Sequence, residues 1–205
     1  MRRALLSAAV LLTLAAPEVA RGADPRHPDW PCRQIKVPEL SVAAVWAGPA
    51  IDDVGDAWKQ DAQISDLVAR AAARRTPLEE AEKAITDFLS GVAPPQREEK
   101  AKLLFAGLFA TENAERTEVM TGIERFTRRR EEFAEKIRSE VRQMHELQDA
   151  PNPDQAKINE VGNTLNWDTR IFQEQQKTIN YVCDVPTLIE QRLFALARAI
   201  QQTLE

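Results

Sequence analysis

The stretch MHELQDAPNPDQAKINEVGNTL, residues 144–165, contains the turn around which the predicted fold is organised. Pro151 and Pro153 enclose Asn152 at its centre, a combination typical of a turn. On both sides of this turn, apolar residues recur at steps of three and four, which places them along one stripe of a helix. Because a short turn makes consecutive helices antiparallel neighbours, the stretch predicts a long helical hairpin over about residues 112–183.

Both arms of the predicted hairpin carry a heptad-like stripe typical of coiled coils. The stripes consist of Val119, Ile123, Phe126, Arg130, Phe133, Ile137, Val141, Met144 and Leu147 in the first arm, and Ile158, Val161, Leu165, Asp168, Phe172, Gln175, Ile179 and Val182 in the second. Setting Leu147 opposite Ile158 brings Arg130 opposite Gln175. Two interpretations stay open: these side chains hydrogen-bond across the seam and fix its register, or Arg130 lies at the flank and extends to water.

The remaining chain after residue 50 is also predicted to be helical. Apolar periodicity indicates a helix over residues 53–75, and the sequence Thr76-Pro77-Leu78-Glu79 resembles a capping box that opens another. Gly91 follows as the stop of that second helix, and a last helix begins near Pro186. Whether residues 96–148 form one helix or two stays open.

The composition favours an all-α bundle over other fold classes. The chain of 205 residues has only seven glycines and 6% aromatic residues, whereas sandwiches and barrels need many tight turns. No Gly-rich phosphate-binding turn is present. With a formal charge of −5, the chain also lacks the basic surface of a nucleic-acid-binding protein.

Residues 1–22 have the pattern of a cleaved signal peptide. Two arginines precede an apolar run of thirteen residues, and the small residues Ala20 and Gly22 suit cleavage before Ala23. The run is shorter than the roughly 20 residues that a membrane-spanning helix needs. The mature protein is therefore predicted to be exported, to a bacterial periplasm, without a transmembrane segment.

Residues 23–50 are predicted to form an extended, proline-rich arm in front of a single helical domain, residues 51–205. Since exported proteins form disulfides, Cys32 and Cys183 are predicted to be bonded to each other; reactive or metal-binding thiols are the alternative. Trp30 and Trp46 have two interpretations, as anchors that hold the arm on the bundle or as a partner-binding surface.

Motifs with specific chemistry are scarce in this sequence. His27 and His145 are the only histidines, and without a Glu-x-x-His pair or a Gly-x-Ser-x-Gly elbow neither a di-iron site nor a serine hydrolase is indicated. We therefore predict no catalytic residue, metal site or cofactor, and interpret His145 as an exposed side chain.

The function that this pattern favours is that of a non-catalytic periplasmic interaction protein: an adaptor, a chaperone-like protein or an accessory subunit. Its amphipathic helices would bind another exported protein or a second copy of the chain. The first alternative is a ligand or metal carrier, with an apolar pocket near residues 103–109 or a site at His145. The second is a hydrolase that uses Asp and Glu side chains in a cleft.

Overall fold

A computed structural model describes residues 25–205, so the predicted signal peptide, residues 1–22, lies outside the described residues. Within the described part, all regular secondary structure is helical and no strand is present, which confirms the all-α prediction. None of the helices between residues 25 and 205 is long and apolar enough to cross a membrane.

The described chain folds into α-helices of very different lengths. They are α1 Val42–Val45, a 3-10 turn Ala57–Gln60, α2 Ala62–Ala72, α3 Leu78–Ser90, α4 Pro94–Gln148, α5 Gln155–Val182 and α6 Val185–Gln202. The 55 residues of α4 form one uninterrupted helix, which answers the question that the sequence left open. Gly91 ends α3 as predicted, with its N–H donating to the carbonyl of Asp87.

Two predicted helix starts are wrong, and local hydrogen bonds show why. The helix predicted over residues 53–75 is interrupted at Asp61, whose carboxylate accepts bonds from the N–H groups of Gln63 and Ile64 and so caps α2. No capping box forms at Thr76, because the first helical hydrogen bond of α3 runs to the carbonyl of the next residue, Pro77.

The apolar core lies between α2, α3, α6 and the first third of α4. Its most enclosed side chains are Ile64, Ile85, Leu89, Leu104, Phe105, Leu108, Ile189, Leu193, Leu196 and Ile200. The ring of Trp46 stacks on Phe105 with centroids 4.2 Å apart, so the end of the arm is part of this core. Gly107 marks the closest approach of α4, since a Cβ there would lie 2.7 Å from Val68 and 2.9 Å from Trp58.

Residues 29–40 of the arm run antiparallel to α4. Asp29 pairs with Arg128 at 2.6 Å, and Lys36 pairs with Glu124 at 2.5 Å. Further along, the arm carbonyls of residues 37 and 38 accept hydrogen bonds from Arg116. These contacts hold the arm in an extended path along the middle of the long helix.

The second half of α4 packs mainly against α5. The rings of Phe133 and Phe172 lie 6.5 Å apart, and Lys136 pairs with Asp168. Both pairings agree with the alignment of the two helices in which Leu147 of α4 lies opposite Ile158, near the start of α5. The two helices are therefore antiparallel, joined by residues 149–154.

Candidate functional site

The part of the α4–α5 pair farthest from the core, residues 130–148 and 155–172, is called here the distal pair. Its burial pattern is unusual, because its only buried residues are two carboxylates, Glu140 and Asp168. The apolar stripe residues around them are at most half-buried. Two helices alone thus leave this seam incompletely covered, whereas the apolar stripe of a helix in a globular protein normally faces a core.

Lys136 connects the two buried carboxylates. Its Nζ lies 2.5 Å from Oδ2 of Asp168 and 3.4 Å from Oε1 of Glu140, and its hydrogen bond to Asp168 raises the pKa of the lysine. The second oxygen of Glu140, Oε2, is buried without a hydrogen-bond partner. An unsatisfied buried acceptor costs about 1–3 kcal/mol, so this oxygen lowers the stability of the distal pair.

A groove of about 510 Å³ opens beside Glu140 on one face of the distal pair. It is lined by Glu140, Gln143 and Leu147 from α4, and by Lys157, Glu160, Val161 and Thr164 from α5. We call it the distal groove. Its lining combines two carboxylates and one ammonium group with aliphatic side chains, a composition suited to an amphipathic partner with a positive charge.

Trp167 lies one turn beyond the distal groove on the same face of α5. Glu160, Thr164 and Trp167 follow each other at steps of four and three, which is one stripe of a helix. The side chain of Trp167 is 63% exposed. Exposed tryptophan is a frequent centre of protein interfaces, so the groove and this ring together form the candidate functional site.

The burial of Trp30 and Trp46 favours the anchor interpretation over that of a partner-binding surface. Their exposed fractions are only 5% and 6%, and their indole N–H groups donate to the carbonyls of Gln34 and Pro49. Both rings are covered by this chain itself and anchor the arm. Sequence periodicity does not single out Trp167, because this residue lies next to the heptad stripe and not on it.

Arg130 and Gln175 do not form the predicted seam pair. The Nε of Arg130 and the Oε1 of Gln175 are both buried without a hydrogen-bond partner, so they do not bond to each other. The guanidinium of Arg130 instead stacks over Phe172, with its carbon 3.9 Å from the ring centroid. The polar contact across the seam is made by Lys136 and Asp168.

A second polar cluster lies inside the bundle, where α4 meets α6. Arg116, which is 2% exposed, pairs with Glu190 at 2.5 Å and also donates to the arm carbonyls described above. Arg192 donates two hydrogen bonds to the carbonyl of Ala71, at the end of α2. These two arginines therefore join the arm, α2, α4 and α6.

Glu112 is the unusual member of this cluster. It is 0% exposed, and neither carboxylate oxygen has a hydrogen-bond partner. Burial, with a smaller contribution from Glu115, raises its pKa to about 7, although Arg192 and Arg74 act in the opposite direction. The carboxyl group is enclosed by protein, so a change in its ionisation would act on the stability of the fold.

Neither site of the predicted carrier alternative is supported. Leu104, Phe105 and Leu108 are fully buried and packed, with Trp46 on Phe105, so residues 103–109 line core and not a pocket. His145 is exposed. Between residues 25 and 205, no three His, Cys, Asp or Glu side chains are grouped so as to hold a metal ion.

The sulfur atoms of Cys32 and Cys183 lie 2.01 Å apart, at bonding distance, with their Cα atoms 5.5 Å apart. This pair fastens the arm to the joint between α5 and α6. The arm side of the joint is further held by Gln34, whose side-chain amide donates to the carbonyl of Cys183.

No protein-family model matches this chain, and neither the curated proteins nor the solved structures include a significant match to it.

Proposed function

We propose that this protein is a non-catalytic interaction protein of the periplasm, which binds another exported protein through the distal groove and Trp167. The observation that carries the proposal is the burial pattern of the distal pair. Within it only Glu140 and Asp168 are buried, while the apolar seam residues are at most half-buried and Trp167 is exposed. A partner that covers this face would bury apolar surface that the chain itself leaves in water.

The chemistry of the distal groove indicates the kind of partner. Leu147 and Val161 offer aliphatic contacts, and the exposed carboxylate of Glu160 offers an acceptor. A helix that carries a Lys or Arg among apolar residues would meet both, since a hydrogen bond between a cation and a carboxylate is stronger than one between neutral groups. The position of such a helix along two others resembles ordinary three-helix packing.

Export is part of the proposal and has two supports. The sequence of residues 1–22 has the signal-peptide pattern, and the bonded Cys32–Cys183 pair suits an oxidising compartment. The absence of a membrane-spanning helix among residues 25–205 is compatible with this location.

Hydrolysis by two carboxylates is a second candidate, favoured by one observation. Glu140 and Glu160 line the same groove, as paired carboxylates do in glycosidases. However, Glu140 is paired with Lys136 inside the seam, so its carboxylate is already engaged by a cation of this chain. Loss of a measured hydrolytic activity in both Glu140→Gln and Glu160→Gln would establish this candidate in place of the interaction proposal.

The interaction proposal is tested by site-specific photo-crosslinking in cells that export the protein. A photoreactive phenylalanine analogue replaces Trp167 in one variant and Gln173 in the control variant. Gln173 is also exposed on α5, but six residues further on its side chain points about 120° away around the helix. We expect one defined adduct from position 167 and none from position 173.

Mass spectrometry identifies the adduct, and the purified partner is then titrated against the wild-type protein and against Trp167→Ala. Loss of the tryptophan is expected to weaken binding by roughly thirtyfold or more, as for an interface hot spot of about 2 kcal/mol. Equal adducts from both positions, or equal affinity of Trp167→Ala, would rule out this face as the docking surface.

A further inference from the structure

A second groove lies at the base of the α4–α5 pair, beside the bonded cysteines. Its volume is about 720 Å³, within the range of small-molecule sites. Cys32, Cys183 and Ile179 are buried or half-buried and form its floor, together with Arg130. We call it the cysteine groove; it is separate from the distal groove and shares no lining residue with it.

Arg130 is the only charged side chain of this floor. Within residues 25–205 it forms no ion pair, in contrast to Arg116 and Arg128, which both bond carboxylates. Its guanidinium is held by the stack on Phe172, 3.9 Å from the ring centroid, and its Nε is buried. The terminal N–H groups are thus the part of the side chain that can reach the groove, in a fixed orientation that suits a carboxylate.

The rim of the cysteine groove carries more negative than positive charge. Glu131 and Asp184 line it, with no ion-pair partner among the described residues, and the exposed Arg33 is the one cation beside them. The amide groups of Gln176 and Asn180 add hydrogen-bond donors and acceptors on the α5 side. A simple inorganic anion would reach the floor guanidinium only by passing the rim carboxylates. A ligand with both a carboxylate and an ammonium group would instead be attracted by floor and rim together.

We infer that the cysteine groove binds short peptides in zwitterionic form. The terminal carboxylate bonds the guanidinium of Arg130, and the terminal ammonium lies at the rim beside Glu131 and Asp184. Backbone N–H and C=O groups of the peptide pair with the side-chain amides of Gln176 and Asn180.

The test uses the full mature chain with its cysteines bonded, and trialanine as the probe. Calorimetric titration at neutral pH compares trialanine with its C-terminal amide and with inorganic phosphate. Arg130→Gln removes the proposed carboxylate partner, and Arg129→Gln is the matched control, since Arg129 is exposed, lies next in sequence and does not line the groove. Circular dichroism establishes that each variant keeps its helical content before titration.

We expect trialanine to bind the wild type and the Arg129→Gln variant equally, and to bind Arg130→Gln at least about tenfold more weakly, as for loss of a charged hydrogen bond. The C-terminal amide is expected to lose affinity by a similar factor. Arg130→Lys should recover part of the affinity, because it restores the charge without the planar fork.

Three results would overturn the inference: no binding of trialanine at millimolar concentration, equal binding by Arg130→Gln, or phosphate binding as tight as that of trialanine. None of these results concerns the distal groove, so the proposals for the two grooves are tested independently.

Discussion

Replacing Glu112 by glutamine should make the protein less sensitive to pH between 5 and 8. The folded-state pKa of Glu112 is about 7, compared with an ordinary value of 4.5, because the carboxyl is buried without a hydrogen bond. Between these two values the folded protein holds a proton that the unfolded chain releases. The free energy of unfolding therefore falls as the pH rises from 4.5 to 7, and the loss is complete above 7.

The expected size of this effect follows from the same two values. A pKa raised from 4.5 to about 7 corresponds to about 3 kcal/mol of lost stability at alkaline pH, of which roughly 2–3 kcal/mol appears between pH 5 and pH 8. Glu115 increases the effect by like-charge repulsion, while Arg192 and Arg74 reduce it. The amide introduced by Glu112→Gln does not ionise, so the variant should lack this component at every pH.

The assay is urea unfolding followed by circular dichroism, at pH 5 and at pH 8, for the wild type, Glu112→Gln and Glu118→Gln. Glu118 is exposed on the same helix and serves as the control. Comparing each variant at two pH values cancels the packing cost of the new amide, which is the same at both. If the wild type and Glu112→Gln lose equal stability from pH 5 to pH 8, then Glu112 is ionised in the folded protein and the reasoning fails.

Three further predictions concern packing and covalent structure. Reducing the Cys32–Cys183 bond, whose cysteines are 151 positions apart, should lower the free energy of unfolding by about 4–5 kcal/mol and Tm by roughly 10 °C. Calorimetry with and without reductant measures the change, and an unchanged Tm contradicts the prediction. Gly107→Ala should destabilise the protein by about 1–3 kcal/mol, since its Cβ would lie within 3 Å of two packed side chains. Gly122→Ala should instead stabilise it by up to about 1 kcal/mol, because the space around Gly122 is open. Urea unfolding that ranks the stabilities of the two variants in the opposite order would refute this packing. Lys136→Met should cost about 1–3 kcal/mol in the same assay, because it leaves two seam carboxylates without their cation; a variant as stable as the wild type would show that the pair contributes nothing.

The sequence predicts the helices best where a proline, a glycine or a capping side chain sets the end of the helix. The start of α5 is set by the prolines at residues 151 and 153 and by the cap at Asp154. The carboxylate of Asp154 accepts two hydrogen bonds from backbone N–H groups. Gly91 likewise ends α3. By contrast, apolar periodicity alone continues across Asp61, and only the hydrogen bonds of its carboxylate show that one helical element ends and another begins there.

The polar interior could not be predicted in the same way, although a signal for it exists. Glu112 and Arg116 follow Leu108 at steps of four and so lie on the buried stripe of α4, as Arg192 does on that of α6. A charged residue on an apolar stripe is either buried with a partner or placed at its edge. Periodicity does not distinguish these cases, because the partner comes from another helix or, for Arg116, from the arm.

The candidate site was missed for a related reason. Trp167 precedes the stripe residue Asp168 and is therefore outside the pattern by which the hairpin was recognised. Sequence periodicity finds residues that face the chain's own core, and a docking residue is by definition one that does not. The exposed fraction of a side chain, 63% for Trp167 against 6% for Trp46, distinguishes these two tryptophans only after the fold is known.

The continuity of α4 links the apolar core to the distal pair. Up to Ile123 this helix carries core residues, and beyond it only Glu140 is buried, so one helix of about 80 Å belongs first to the core and then to the distal pair. Since the backbone hydrogen bonds of α4 continue through both parts, the core fixes the orientation of the distal pair. The distal pair itself adds no residues to that core. An apolar face can then remain uncovered at the distal end without loss of the fold, which is what a docking surface requires.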